Sequence, residues 1–373
     1  MKIILQRIIS DKTVLLTLFL ATISLVFGTV KIADIDIKTI IALLSLIIIV
    51  SIYEHLHILT YIADLIIEKC QTIRTVALAI FLFSFFGSML FTNDVAILTL
   101  VPIIFNISKR IKLPKILIVT LTTVYANLGS ALTSFGNPQN LYLVSYFHLS
   151  LIDFFKMSLL VGVVSLCSLF ICLLFFSKEK ITQVKARRIQ FNRKDIWILL
   201  ITTAVVLLGI LSIISIWYSL FASLMCSLLL NKSILKESDY GVILILINFF
   251  IIVGAVSRVP QIQTFLIQNM KNNLSIFISS VGLSQFISNV PAAVLLSKFT
   301  HRIFPIYLGV SIGGLGTLIA SLANLLAFRQ YHSFSDGVGS AKFLSRFTLI
   351  NFLYLFIFIG IGIILLRVIN FGY

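Results

Sequence analysis

The chain has 373 residues, of which 59% are hydrophobic and 11% are charged, and its formal net charge at pH 7 is +16. The apolar share is far above that of a soluble domain, so the composition indicates a polytopic membrane protein. The basic residues form short runs between apolar segments without interleaved aromatic residues, which favours a positive-inside bias over contact with nucleic acid. We therefore expect the lipid bilayer, and no nucleic acid, as a partner.

The apolar segments predict an all-α polytopic membrane protein, since a membrane-crossing helix needs about 20 apolar residues. Basic residues precede the first segment as in a signal peptide, but no small-residue cleavage site follows, so we interpret it as an uncleaved span. Two of the predicted spans, 116–148 and 303–328, are interrupted by polar residues and glycines. The other predicted spans are 13–30, 38–54, 157–177, 196–212, 214–230, 241–257 and 347–367.

Two further segments, 75–106 and 273–300, differ from single spans. Each has two short apolar arms around a polar tip, which is Thr92-Asn93-Asp94 in the first and Ser288-Asn289-Val290-Pro291 in the second. Because lipid cannot satisfy exposed backbone groups, such a tip must be buried or line a cavity. The pattern predicts two re-entrant helical hairpins.

The charge distribution favours the same topology. With a cytoplasmic N-terminus and both hairpins returning to the side they enter from, the positive-inside bias is strong. We predict a first repeat (1–177), a basic cytoplasmic loop with a linking span (178–213) and an inverted second repeat (214–373). Such repeats are typical of secondary transporters, here in the inner (plasma) membrane. Of the 29 Lys and Arg residues, the outer side holds only Lys31, Lys38, Lys156, Arg258, Lys271, Lys298, Arg302 and Arg367.

The hairpin tips have the composition of helix N-termini. Thr92 or Asn93 can cap one helix, and Ser288 or Asn289 the other, with Pro291 in the first turn where its missing N–H is harmless. A helix start offers free backbone donors and a partial positive charge, and it binds anions without Lys or Arg. We therefore expect a small-molecule anion to bind between the tips.

The interrupted spans predict a second kind of ligand. Gly129, Gly136 and Pro138 are expected to unwind the first, and the glycines at 313, 314 and 316 the second. Unwound carbonyls with hydroxyl and amide oxygens suit a hard cation, which in transporters of this design is the coupling ion. The alternative is that the glycines only let helices pack closely. Side chains expected to be presented there are Thr133, Asn137, Gln139, Asn140, Thr317, Ser321 and Asn324.

Asp94 is the only ionisable side chain within the hairpins and interrupted spans at the predicted membrane depth. Intramembrane carboxylates are costly and mark functional sites. Asp94 is interpreted as a proton carrier, as the charge that completes a sodium site, or as a first-turn carboxylate stabilised by the helix dipole. The sequence offers no catalytic triad, metal cluster or nucleotide loop, so we expect no enzyme and no cofactor besides sodium or a proton.

These motifs resemble the ion transporter superfamily, specifically its citrate-transporter-like permeases, which include divalent anion/sodium symporters and arsenite permeases. The resemblance covers nearly the whole chain. It rests on FTNDVAILTLVPI (91–103), NLGSALTSFGNPQNLYL (127–143), ISNVPAAVLL (287–296) and GGLGTLIASLAN (313–324).

The resemblance implies substrate contacts at the two tips and sodium contacts at the tips and the interrupted spans. With the polar side chains predicted above, the substrate-binding candidates are Thr92, Asn93, Asn137, Pro138, Ser288, Asn289, Thr317 and Ser321. The ion-coupling candidates are Asn93, Asp94, Thr133, Gly136, Asn140, Asn289, Ala320 and Asn324.

The two tips differ in one respect from the paired Ser-Asn-Thr motifs of the symporters. The third position is Asp94 in one half and Val290 in the other. A fixed charge at Asp94 would repel a dianion unless a proton or cation neutralised it.

Our leading hypothesis is a secondary transporter for a small anion, such as a di- or tricarboxylate, driven by a sodium or proton gradient and with a possible homodimer as its assembly. The alternative is a sodium/proton antiporter or an arsenite-like efflux permease.

Overall fold

A computed structural model describes residues 12–109, 111–181, 191–211, 213–335, 337 and 339–368. In this part of the chain the regular structure is helical apart from an isolated bridge between Thr72 and Lys180. Two basic segments of the predicted topology, 1–11 and 182–190, lie outside the described residues. The placement of the N-terminus, and of most of the basic loop that begins the predicted 178–213 segment, therefore stays a prediction.

Within the described residues, the first half of the chain contains a short 3-10 helix, Ile32–Asp34, and nine α-helices. These are α1 (Lys12–Phe27), α2 (Ile37–His55), α3 (Ile58–Glu68), α4 (Ile73–Phe91), α5 (Asn93–Ser108), α6 (Lys115–Ser130), α7 (Pro138–Tyr146), α8 (Leu151–Leu173) and α9 (Arg193–Ile210).

The second half contains nine more α-helices within the described residues. These are α10 (Ile216–Leu230), α11 (Ile234–Glu237), α12 (Gly241–Val256), α13 (Pro260–Asn269), α14 (Asn273–Ile287), α15 (Asn289–Ser297), α16 (Ile303–Gly313), α17 (Leu322–Phe334) and α18 (Ser340–Val368).

Four of the described helices, α2, α4, α8 and α18, are long and apolar enough to cross a membrane by themselves. The pair α12 and α13 passes the same test together but bends by 91°. The bend is expected at Pro260, because a proline disfavours helical backbone in the residue before it. These helices confirm an all-α polytopic membrane protein.

The distribution of side chains is that of a protein in lipid. Large apolar side chains on the outer helices are exposed, among them Phe19 on α1, Leu229 on α10 and Leu349 on α18. Polar side chains are buried in the centre of the molecule, where Asn140 and Asn324 have no exposed surface. In hydrocarbon such polar groups need hydrogen-bond partners inside the protein. The helix breaks supply these partners, because the backbone groups there are not paired within a helix.

Both predicted hairpin segments consist of two helices that meet at the predicted tip. The backbone breaks at Thr92 between α4 and α5, and at Ser288 between α14 and α15. The first arm, α4, has 19 residues, so it is longer than the short arm expected from the sequence. The reason is its composition, since neither proline nor a run of polar residues interrupts the chain from Ile73 to Phe91.

Each hairpin packs on the helix before the neighbouring interruption. Helix α4 packs on α6, and α14 packs on α16. The second arms cross over, because α5 packs against α17 and α15 packs against α7. This exchange brings both tips and both interruptions to one central region.

The glycines at these helix contacts allow close packing of the helices. This role is the alternative that the sequence offers to unwinding of the helices. Gly129 lies inside α6, not in the break, and a Cβ there would overlap Phe85 O and lie 2.7 Å from Phe85 Cα. Gly313 ends α16, and its Cβ would lie 2.7 Å from Ser284 Cβ. The unwound residues are 131–137 in the first half and 314–321 in the second.

A charged cluster joins the periphery to the second hairpin. Asp34 accepts hydrogen bonds from both Arg258 Nη atoms at 2.7 and 2.8 Å, and from Lys298 Nζ at 2.9 Å. Burial by itself would raise the pKa of the Asp34 carboxyl, but the hydrogen bonds from Arg258, Lys298 and the Lys31 N–H hold that pKa well below its usual range. Gly254 leaves room for the carboxylate, since a Cβ there would lie 2.7 Å from Asp34 Oδ2.

We predict that Gly129→Ala and Gly313→Ala lower the thermal stability of the protein in detergent. Overpacking of a close helix contact costs about 1–3 kcal/mol, and Gly129 should be the more sensitive because backbone atoms cannot move aside as a side chain can. Gly282 on α14 is the matched control, since a Cβ there would meet no atom within 4 Å. Gly282→Ala should leave the melting temperature unchanged or raise it, and a similar loss in all three variants would contradict the assigned contacts.

Candidate functional site

The two tips share one unusual backbone conformation. Thr92 has φ 79° and ψ 155°, and Ser288 has φ 75° and ψ 155°. This region is essentially restricted to glycine and costs about 1–3 kcal/mol for other residues. Neither hydroxyl makes the side-chain capping hydrogen bond expected for an N-cap. Such strain persists only where the surroundings hold the backbone in place.

Each tip is held by the interruption beside it. Asn93 N donates to Gly136 O at 3.2 Å, and Asn289 N donates to Ala320 O at 3.0 Å. These bonds satisfy a backbone donor at the start of each second arm, which has no partner within its own helix.

A second pair of bonds ties each interruption to the first arm of its hairpin. Thr133 Oγ1 donates to Met89 O at 2.7 Å, and Thr317 Oγ1 donates to Gln285 O at 2.9 Å. The two halves thus repeat the same contacts with different side chains around them.

Asn140 and Asn324 hold the unwound backbone of the two interruptions. Asn140 Nδ2 donates to the carbonyls of Ser130, Ala131 and Thr133 at 2.9–3.2 Å. Asn324 Nδ2 donates to Gly314 O at 3.0 Å and to Thr317 O at 2.8 Å. The amides take the place of the backbone donors that a continuous helix would supply, as is required at membrane depth.

Asn127 connects the two halves at their centre. Its Oδ1 accepts from Asn93 Nδ2 at 2.9 Å and from Ser321 Oγ at 2.9 Å, and its Nδ2 donates to Asn324 Oδ1 at 2.8 Å. These residues belong to α5, α6 and the start of α17. The first tip is thus joined to the second interruption through Asn127, and Asn93 Nδ2 also donates directly to Ser321 Oγ at 3.4 Å.

A cavity of about 530 Å³ opens beside this network. Apolar side chains form most of its wall, many of them from α12, and Asp94 and Arg329 are the charged residues among those that line it in the described chain. Arg329 Nη2 donates to Thr13 Oγ1 at 2.8 Å. The predicted site residues that line the cavity are Asn93, Asp94, Pro138, Ser288, Asn289 and Ser321, and Gln139 also lines it.

Other candidate residues lie behind the cavity wall. Thr92 forms the strained turn, Asn137 caps α7 by accepting from Asn140 N at 2.9 Å, and Thr317 bonds to Gln285. Gly136 and Ala320 contribute the carbonyls that hold the tips. The structure thus brings all the predicted residues into one region but gives only some of them access to a solute.

Asp94 is placed in the first turn of α5. Its backbone N–H donates to Asn93 Oδ1 at 3.1 Å, while its own Oδ1 is buried and has no hydrogen-bond partner in the described part of the protein. A first-turn position suits a carboxylate because of the helix dipole. A buried carboxylate oxygen without a donor is nevertheless costly, and a proton or a cation would relieve that cost.

Two residues of the site were not singled out from the sequence. Asn127 is the first residue of the motif 127–143. The signal that could have identified it is that it is a polar residue in the middle of an apolar run. Gln285 precedes the second tip; its Nε2 donates to Gly313 O at 2.8 Å, and its Oε1 accepts from Thr317 N at 3.0 Å. Gly316, with φ 103°, leaves the room that the Gln285 amide occupies.

The sequence profile of a family described as citrate transporter matches residues 1–306. The chain belongs to the citrate transporter family. The match includes both hairpins and the first interruption, and it ends before the second interruption at 314–321. This citrate transporter family member is a membrane transporter and not an enzyme, and the resemblance found in its motifs is confirmed.

Relatives of this citrate transporter family member are also transporters or membrane proteins. An uncharacterised transporter of Methanocaldococcus jannaschii is 33% identical over 298 residues, which cover 78% of this chain and 80% of the relative. The inner membrane protein YbiR of Escherichia coli is 28% identical over 303 residues, with 80% and 81% covered. The putative transporter arsB of Dictyostelium discoideum is 27% identical over 164 residues, with 43% and 29% covered.

We predict that Asn127→Ala lowers the melting temperature, because it leaves buried polar groups of Asn93, Ser321 and Asn324 with fewer partners. Each unsatisfied group costs about 1–3 kcal/mol. Asn269 is the control, since it is exposed on α13 and its amide bonds within its own helix to Phe265 O. If the melting temperature of Asn127→Ala equals those of Asn269→Ala and of the unmodified protein, the central network does not stabilise the fold.

Proposed function

We propose that this transporter is a secondary active transporter that moves a small anion, of the di- or tricarboxylate class, by alternating access coupled to a sodium or proton gradient. The observation that carries the proposal is the matched pair of tips. Both have the same strained backbone, both are anchored by an interrupted segment, and both reach one cavity.

The proposal includes an inverted repeat with two re-entrant hairpins. The matched hydrogen bonds support it, because Thr133 and Thr317, like Asn140 and Asn324, make the same contacts in the two halves. In transporters of this design, solute and ion bind at the interface of such repeats near the middle of the bilayer. We place the protein in an inner (plasma) membrane with a cytoplasmic N-terminus and propose a homodimer as its assembly.

The anion preference follows from the chemistry at the tips. Asn93, Asn289 and Ser288 offer amide and hydroxyl groups to the cavity, and the two helix starts add their dipoles. The tips carry no Lys or Arg, so the anion would be held by dipoles and released at modest cost. A carboxylate substrate also requires that Asp94 be neutralised, which links binding of the anion to binding of a proton or cation.

A transport assay tests this proposal. In proteoliposomes, labelled succinate or citrate should accumulate when a sodium or proton gradient is imposed and should not accumulate without one. Asn289→Ala should reduce uptake about tenfold, since the loss of about 1.4 kcal/mol of binding free energy corresponds to that factor. Asn269→Ala should transport normally, and failure of all carboxylates to show gradient-dependent uptake would contradict the proposal.

The second candidate function is sodium/proton antiport or arsenite-like efflux. It is favoured by Asp94, a carboxylate with an unpartnered buried oxygen in a cavity with mainly apolar walls. An uncharged or cationic solute would not be repelled by this carboxylate.

The variant Asp94→Asn tests the role of this carboxyl group. The amide has nearly the same shape but cannot release a proton, so proton-coupled exchange across proteoliposomes should be abolished. Glu237→Gln is the matched control, because Glu237 is exposed and lies outside the cavity. Normal proton-coupled exchange in Asp94→Asn would show that Asp94 only stabilises the first turn of α5.

A further inference from the structure

The cavity beside the tips has room for more than the carboxylates of a solute. Its volume is about 530 Å³, and pockets of about 300–1,000 Å³ are usual for drug-sized ligands. An unsubstituted four-carbon dicarboxylate would fill only part of this space. The residues that line the rest of the cavity therefore bear on the chemistry of the solute.

Helix α12 gives the cavity a continuous apolar wall. Its lining residues follow helical spacing and are all apolar, from Val242 through Leu246, Phe249 and Val253 to Val256. The stripe extends over about 21 Å, since an α-helix rises by about 1.5 Å per residue. A solute in the cavity meets only hydrocarbon along this wall.

The polar side chains between α1 and α12 are already bonded to the protein. Asn248 Nδ2 of α12 donates to Thr17 Oγ1 at 3.1 Å, and Thr17 Oγ1 donates to Val14 O at 3.0 Å. Thr17 lines the cavity, but its hydroxyl both donates and accepts within the protein. A carboxylate placed here would lose its water without gaining a donor, which is costly for a charge.

Two large apolar side chains beside the polar residues are exposed. Phe286, two residues before Ser288, is 80% exposed, and Ile319, two residues before Ser321, is 62% exposed. All four residues line the cavity. Exposed apolar surface next to polar groups is typical of a binding site, so we expect an apolar part of the solute to cover it.

The hydrogen-bonding groups of the site are confined to the tips and the breaks. Ser288, Asn289 and Ser321 line the cavity there. Along α17, which begins after Ser321, the next lining residues are Leu322 and Leu325. The cavity thus has one polar region, which adjoins apolar surfaces of α12, α14 and α17.

We propose that the solute is an amphipathic carboxylate, which has its charges at one end and a hydrocarbon body at the other. The carboxylates bind at the tips, and the body lies against α12 and Phe286. The inference rests on the proposed function, because it takes the tips as the place where carboxylates bind. The hydrocarbon body removes apolar side chains from water, which favours binding. A solute with charges all round, such as citrate, would leave a carboxylate unpaired at the apolar wall.

Equilibrium binding tests this proposal without a transport assay. Isothermal titration of the protein in lipid nanodiscs compares succinate with benzylsuccinate, which has the same two carboxylates and an added benzyl group. The dissociation constant of benzylsuccinate should be at least about tenfold lower, since each buried methylene contributes about a factor of four. Titration of empty nanodiscs corrects for partition of the benzyl group into lipid.

Three variants locate the apolar contact. Phe286→Ala should lower the preference for benzylsuccinate about fivefold, because it removes apolar surface that the benzyl group covers. Phe221→Ala is the matched control and should keep the preference, since Phe221 is 63% exposed on α10 and does not line the cavity. Asn289→Ala should weaken both ligands and leave the ratio of their dissociation constants unchanged, because it alters the tip and not the apolar wall.

Equal dissociation constants for succinate and benzylsuccinate would overturn the proposal and assign the apolar surfaces to lipid acyl chains. An unchanged preference in Phe286→Ala would also overturn it, because the benzyl group would then bind elsewhere.

The outcome is separable from that of the proposed function. Tighter binding of benzylsuccinate that depends on Phe286, without gradient-driven uptake of any carboxylate, would keep this site and reject coupled transport. Gradient-driven uptake of succinate by a protein that binds the two compounds equally would keep the transporter and reject the amphipathic solute.

Discussion

The central constraint on this protein is that backbone polar groups cannot remain unsatisfied at membrane depth. The amides that begin the second arms, Asn93 N and Asn289 N, meet it by donating to Gly136 O and Ala320 O. Each bond links a hairpin tip to the interrupted segment of its own half, so the strained turn and the break stabilise each other. The crossed packing of α5 with α17 and of α15 with α7 then joins the two halves around these bonds.

The same constraint explains why amide side chains are concentrated here. A helix that stops inside the protein leaves carbonyls that water cannot reach, and Asn140 and Asn324 donate to them. An asparagine supplies two donors and one acceptor oxygen, so it also presents an oxygen once the carbonyls are satisfied. The asparagines that make the breaks possible therefore also place an acceptor oxygen at each break, and at the second break Asn127 Nδ2 donates to it.

The sequence predicted the positions of both tips and both breaks, because polar residues, glycine and proline stand out in apolar surroundings. It did not predict the length of α4, since nothing local limits that helix, nor the helical state of Gly129, whose role depends on Phe85 in another helix. Asn127 was missed for the same reason: its three partners come from distant parts of the chain. Local composition shows where a helix is interrupted. The role of the interruption depends on contacts with residues that are distant in the sequence.

The ion pair between Lys298 and Asp34 would have to break if the second hairpin moved relative to the charged cluster. Helix α15 has its tip at Asn289, beside the cavity, and about 12 Å further along the helix Ser297 Oγ and Tyr142 Oη of α7 are 2.8 Å apart. The next residue, Lys298, bonds instead to Asp34, which Arg258 holds to the end of α12. If α15 and α7 move together, the Tyr142 bond survives and the Lys298 bond must break. Arg258 then keeps Asp34 paired, so the carboxylate is not left buried and alone, and the cost of the motion is smaller than for an isolated ion pair.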